Sequence, residues 1–129
     1  MKKCLLFFLL FLSFSLPVTG QEKFGQGQGT DHEVANLTSL IDYSETGFAK
    51  KTIFRGKEYM ILLFAFKQGQ ELKPHTIPID AFVHVLEGTA TVIIDGKEQK
   101  VLAGQKIVLP KDLPHGLTAD ENFKMLLVK

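Results

Sequence analysis

From Leu37 to its end the chain alternates short apolar runs with turn residues, and no stretch keeps a sustained helical period. Glu58 to Phe66 holds Ile61, Leu62, Leu63, Phe64 and Phe66, then stops at Gln68-Gly69. Phe82 to Leu86 is a second run, ended by Glu87-Gly88. Ala90, Val92 and Ile94 alternate with Thr89, Thr91 and Ile93, and Asp95-Gly96 follows. An Asp-Gly pair between two such runs predicts a tight hairpin, because both central positions need positive φ. The return strand is expected near Glu98 to Leu102. Ile107 to Leu109 comes next, halted by Pro110, and Asn122 to Val128 carries Phe123, Met125 and Leu127 on one face. Short strands with Gly, Pro and Asp punctuation predict an all-β sandwich or barrel. Ile94, Ile107, Leu109 and Met125 are expected in its core.

The first twenty residues follow another pattern. Lys2 and Lys3 precede an unbroken apolar run from Leu5 to Leu12, and Val18 and Gly20 are small residues just before Gln21. That arrangement predicts a secretory signal peptide over residues 1–20, cut before Gln21. A bilayer span needs about 20 predominantly apolar residues, and this run is shorter and broken by Ser13, Ser15 and Pro17. The expected product is therefore exported, periplasmic or extracellular, with no stable membrane insertion after cleavage. Gly25-Gln26-Gly27-Gln28-Gly29 cannot bury apolar surface, so residues 21–36 are expected to form a flexible tether, with His32 solvated beside it. The domain proper is placed at residues 37–129.

Composition narrows the chemistry. The 129-residue chain has net charge +1, and the leader contributes +2 with no acid, so the expected mature chain carries 1 − 2 = −1. No basic stripe points to nucleic acid. The single cysteine, Cys4, lies in the leader. The expected mature chain thus offers no disulfide, thiol nucleophile or thiolate metal ligand. What remains is histidine: His75, His84 and His115 lie at strands or their edges, and prolines stiffen both His75 (Pro74) and His115 (Pro110, Pro114). Neutral imidazoles converging from a rigid scaffold suit divalent transition metals.

Two segments around these histidines resemble the paired motifs of the cupin superfamily. In Gly69 to Gly88, Gly69, five residues and His75 match the first motif, as does the closing Gly88. In Gly104 to Ala119, Gly104, Pro110 and His115 match the second, with Asp112 where glycine is usual. The resemblance covers about Gly56 to Val128. It implies a double-sheet jelly-roll barrel, the fold class that the strand pattern predicts by itself. It also implies a metal site of two histidines and a glutamate from the first motif and one histidine from the second. Here the second histidine position is Ile77 and the glutamate position is Ala81, so only His75 and His115 carry over. His84 is the candidate replacement. Lying three residues past Ala81 on one strand, it should face the other way from Ala81 unless a bulge intervenes. Asp80 is the nearest carboxylate that could orient a histidine, or it is a solvated residue ahead of its strand.

The expected site is thus His75, His115 and His84 around at most one divalent ion (Zn, Fe, Mn or Ni), in a pocket that takes a small-molecule ligand. The first functional reading is a binding protein for that ligand. The alternative is a metal-dependent enzyme, oxygenase- or isomerase-like, acting on a small molecule. A homodimer is expected, joined through an open sheet edge near the N-terminal strands.

Overall fold

The computed structural model describes residues 32–129; the expected leader and the tether as far as residue 31 lie outside them. The described residues are all-β apart from one 3-10 turn, Leu37–Leu40. Nine strands follow: β1 (Ala49–Arg55), β2 (Met60–Phe66), β3 (Glu71–His75), β4 (Ala81–Glu87), β5 (Thr89–Ile94), β6 (Lys97–Leu102), β7 (Lys106–Leu109), β8 (His115–Ala119) and β9 (Phe123–Val128). They form a five-stranded sheet in the order β1-β2-β9-β4-β7 and a four-stranded sheet in the order β3-β8-β5-β6. Every pairing is antiparallel.

Period-two alternation builds the core. Leu62, Phe64 and Phe66 of β2, Ala81, Val83 and Val85 of β4, and Phe123, Met125 and Leu127 of β9 face inward. They meet Ala90, Val92, Leu117 and Ala119 from the other sheet. Phe66 and Phe123 are fully buried, with ring centroids 6.1 Å apart. The predicted hairpin is present: Asp95 and Gly96 have φ of 49° and 79°. Gly88 joins β4 to β5 at φ 75°, where a Cβ would stand 1.9 Å from the Asn122 carbonyl oxygen, so only glycine fits.

Residues 37–43 form a strap across the outer face of the five-stranded sheet. There Ile41 packs with Leu63 and Ala65 in a second, smaller core. Three hydrogen bonds fasten it: the Lys124 ammonium donates to the Thr38 carbonyl (2.7 Å), the Lys51 ammonium to the Leu40 carbonyl (3.0 Å), and the Tyr43 hydroxyl to Glu87 Oε1 (2.7 Å). Burial and the Glu87 carboxylate push the Tyr43 hydroxyl well above its ordinary pKa.

Several expectations need correction. The apolar pattern does not delimit strands β1, β3 and β8, because β1 is largely exposed, β3 contains Pro74, and β8 contains Gly116. Ile107, Leu109 and Met125 are buried as expected, but Ile94 is only half-buried. Ile94 pairs with His115 across the β5–β8 ladder.

Candidate ligand and metal site

The two histidines that match the motifs meet across one strand pair. His75 closes β3, His115 opens β8, and the two are direct register partners. Their ring centroids are 4.7 Å apart with planes at 61°. His115 shares the inward face with Leu117 and Ala119, and is itself 2% exposed. His75 reaches that face through a bulge. Between Leu72 and His75 the register shifts: two steps on β8, from Leu117 to His115, oppose three on β3.

Gly116 permits this arrangement. A Cβ there would lie 2.6 Å from the Leu72 carbonyl oxygen and 3.0 Å from the Pro74 nitrogen, so the bulged backbone of β3 packs where a side chain would be. The turn ahead of His115 is pinned at three points. The Lys111 amide donates to Asp80 Oδ1 (2.8 Å), the Asp112 amide to the Ile77 carbonyl (2.8 Å), and the Asp95 amide to the Pro114 carbonyl (2.8 Å). Asp112 sits at φ 62°, which explains glycine as the usual residue there; aspartate is among the side chains that tolerate this conformation. Asp80 therefore orients the turn that delivers His115, not an imidazole.

The two rings are held alike. Nδ1 of His75 donates to the Lys73 carbonyl (3.0 Å), and Nδ1 of His115 donates to the Leu113 carbonyl (3.1 Å). A carbonyl only accepts, so Nδ1 carries the proton and the neutral ring keeps its free lone pair on Nε2. No buried side-chain nitrogen or oxygen lacks a partner among the described residues. Nε2 of His115, which has no protein partner there, is therefore not completely enclosed. Burial lowers the pKa of His115 from its ordinary 6.5, and the nearby His75 lowers it further, against the opposing pull of the Leu113 carbonyl. Its Nε2 lone pair thus persists to lower pH than that of a free imidazole.

Beneath His115 the sheets enclose a small cavity, about 10 Å³ for the centre of a water-sized body, with Leu72, Val83, Val92, Leu117, Phe123 and Met125 in its wall. That is room for about one water. Its accessible lining is apolar. Ala81 is fully buried in the core, and Ile77 packs against that core.

His84 does not join the pair. The β4–β7 register runs without a break from Ala81 to His84, so alternation puts Ala81 and Val83 inside and His84 outside. Leu86 and Leu126, its neighbours on that outer face, belong to the strap core. Among the described residues no three His, Cys, Asp or Glu side chains gather as a metal cluster. Of the three histidines expected at the site, the structure brings His75 and His115 together and places His84 on the opposite side of its strand. Gly116 and the Lys73 and Leu113 carbonyls were missed; the available signal was the proline just before each histidine, at Pro74 and Pro114.

Comparisons with known proteins agree with this architecture. A family model described as a cupin domain matches residues 62–129. Over 74 residues the chain is 35% identical to the dimethylsulfoniopropionate lyase DddW of Ruegeria pomeroyi, a match covering 54% of this chain and 49% of that protein. The chain thus spans about half the length of the curated relative it matches. Among solved structures, the conserved protein of unknown function SPY1581 from Streptococcus pyogenes is similar with a TM-score of 0.70 at 36% identity, over 75% of this chain and 85% of that one. The cupin 2 conserved barrel domain protein from Leptotrichia buccalis gives 0.69 at 37% identity, over 73% and 46%.

Proposed function

This chain belongs to the cupin domain family, and on that footing we propose that it binds a small molecule at the open end of its barrel, through Nε2 of His75 and His115. The observation that carries this reading is the common tethering of the rings. Both spend their Nδ1 proton on a backbone carbonyl, and both keep a lone pair for something that is not protein. A ligand offering a hydroxyl, carboxylic acid or ammonium proton would meet two acceptors there, and a small apolar group would fit the cavity beneath.

The same donor set fits a divalent ion in part. A ligating imidazole commonly donates its other N–H to a backbone carbonyl, as both rings do here. His75 and His115 would hold zinc, iron, manganese or nickel by two nitrogens, and water or the small molecule would fill the remaining positions. Such an ion would act as a Lewis acid, polarising a carbonyl or carboxylate of the ligand. With two protein donors the site would be weak.

The alternative reading, a metal-dependent enzyme, is favoured by the likeness to a protein named as a lyase. His115, neutral and partly desolvated, would then be the candidate proton acceptor. Calorimetric titration with zinc and manganese, followed by a thermal-shift screen of small acids and amines, tests the site. Wild type should bind, and His75→Ala and His115→Ala should each lose about tenfold or more in affinity. Unchanged binding in both variants would exclude the site.

A further inference from the structure

Two register rows face each other at the end of the barrel that holds the histidine pair. On the four-stranded sheet His75 is opposite His115, and His115 is opposite Ile94. On the five-stranded sheet Arg55 is opposite Met60, and Met60 exchanges both backbone hydrogen bonds with Lys129. That second row therefore runs Arg55, Met60, Lys129 over β1, β2 and the end of β9. Alternation fixes its side. Next along the strands come Phe54, Ile61 and Val128, and the step beyond them holds Leu62 and Leu127, which face into the core. Arg55, Met60 and Lys129 share that inward side, and Met60 packs against the core accordingly.

The strand orders set Arg55 over the histidines. Strand β2 passes into β3 through residues 67–70, whereas β4 passes into β5 at Gly88. The edges β1 and β3 thus lie on the same side of the barrel. Neither row contains an acid, and Asp80, which precedes β4, is occupied by the Lys111 amide. Arg55 is the chain's single arginine, and among the described residues no hydrogen bond or ion pair engages its guanidinium.

We infer, on the footing of the small-molecule reading proposed above, that this site takes a short hydroxy acid whose carboxylate is held by Arg55. The two rows divide the work by charge. Each neutral imidazole presents a lone pair at Nε2, which accepts a hydroxyl proton and repels a carboxylate. The anionic group must therefore turn to the opposite row, where a guanidinium offers two parallel N–H donors that match a carboxylate. Lys129 adds a second positive charge to that row. An ammonium ligand, which the imidazoles alone would accept, is repelled by both cations.

The dimensions select a small molecule. Packed sheets stand about 10 Å apart, so an arginine and an imidazole extended toward each other leave room for only a few heavy atoms between them. The apolar cavity beneath His115 takes the remaining end of the ligand, a methyl group at most.

Three probes with one carbon skeleton test this: 3-hydroxybutyrate, its uncharged amide, and 4-amino-2-butanol, which carries an ammonium in place of the carboxylate. Titration of the purified protein, followed by the histidine ring signals in NMR spectra, should rank the acid first, the amide second and the ammonium last. Arg55→Gln should lower affinity for the acid about fivefold, leaving the amide and zinc within about twofold of wild type. Lys129→Gln should give a smaller loss in the same direction, and it carries the test if Arg55→Gln misfolds. Lys100→Ala, opposite the outward Thr91 on the other sheet, should change nothing. Equal affinity of wild type for acid and amide, with His75→Ala and His115→Ala impaired for both, would overturn this inference alone. Acid binding that survives intact in His75→Ala and His115→Ala would remove the site reading, and this inference with it.

Discussion

Two pairs of residues in this barrel have the same spacing and opposite outcomes. Leu72 and His75 are three residues apart on β3 and share a face, because a bulge adds one residue between them. Ala81 and His84 are three apart on β4 and face opposite ways, because that register runs unbroken. In a strand, parity decides which side chains meet, and a single extra residue reverses it. One bulge therefore brings His75 to His115, and the absence of another sends His84 to the outer sheet face. Motif spacing alone treats the three histidines alike.

The largest expected effect comes from the core that both strands rest on. Leu109 of β7 is buried opposite Ala81, and Leu109→Ala should cost about 2–5 kcal/mol. In a domain of this size that lowers Tm by roughly 8 °C or more. Lys97→Ala, at the exposed hairpin tip, should change stability by less than about 0.5 kcal/mol. Equal melting shifts from the two would refute the strand map.

A smaller and more selective effect is expected from Gly116→Ala. The new methyl would press on the Leu72 carbonyl and force the bulge away from β8. Overpacking of this kind costs about 1–3 kcal/mol. Because it moves His75 specifically, ligand or metal affinity should fall by more than that of a core variant with the same Tm. Affinity that merely tracks stability across the two would show that the bulge does not position His75.

The pH dependence separates the buried member of the pair from the exposed one. The His115 pKa is depressed on folding, so the unfolded chain binds its proton more readily than the folded one does. The stability this group contributes is present above 6.5, its ordinary value, and is lost as pH falls through the lower folded value. Denaturation at pH 7.5 and 5.5 should show a larger loss for wild type than for His115→Gln. A loss of the same size in both would assign the sensitivity to other groups.

Much of the fold was legible because strands with one buried face announce themselves by alternation, as in β9, or by an apolar run, as in β2. The Asp95-Gly96 turn was legible from φ chemistry. Strands β1 and β3 were not, since an exposed or bulged strand has no apolar stripe to read. The site was half legible. His75 and His115 stood out by their place in the two motifs, whereas the bulge that aims His75 rests on a close backbone approach over Gly116, which leaves no periodic trace. The strap was invisible for a related reason: its anchors, Thr38 to Lys124 and Tyr43 to Glu87, join residues 86 and 44 positions apart.

The smallest expected effect is also the cleanest control, because His84→Ala removes an imidazole from the outer face alone. The central claim is that the site is a pair, His75 with His115, and that His84 stands outside it. Zinc titration of wild type, His75→Ala, His115→Ala and His84→Ala under one set of conditions tests it most directly. The account predicts wild-type affinity in His84→Ala and a loss of about tenfold or more in each of the other two. A loss in His84→Ala comparable to theirs would contradict it.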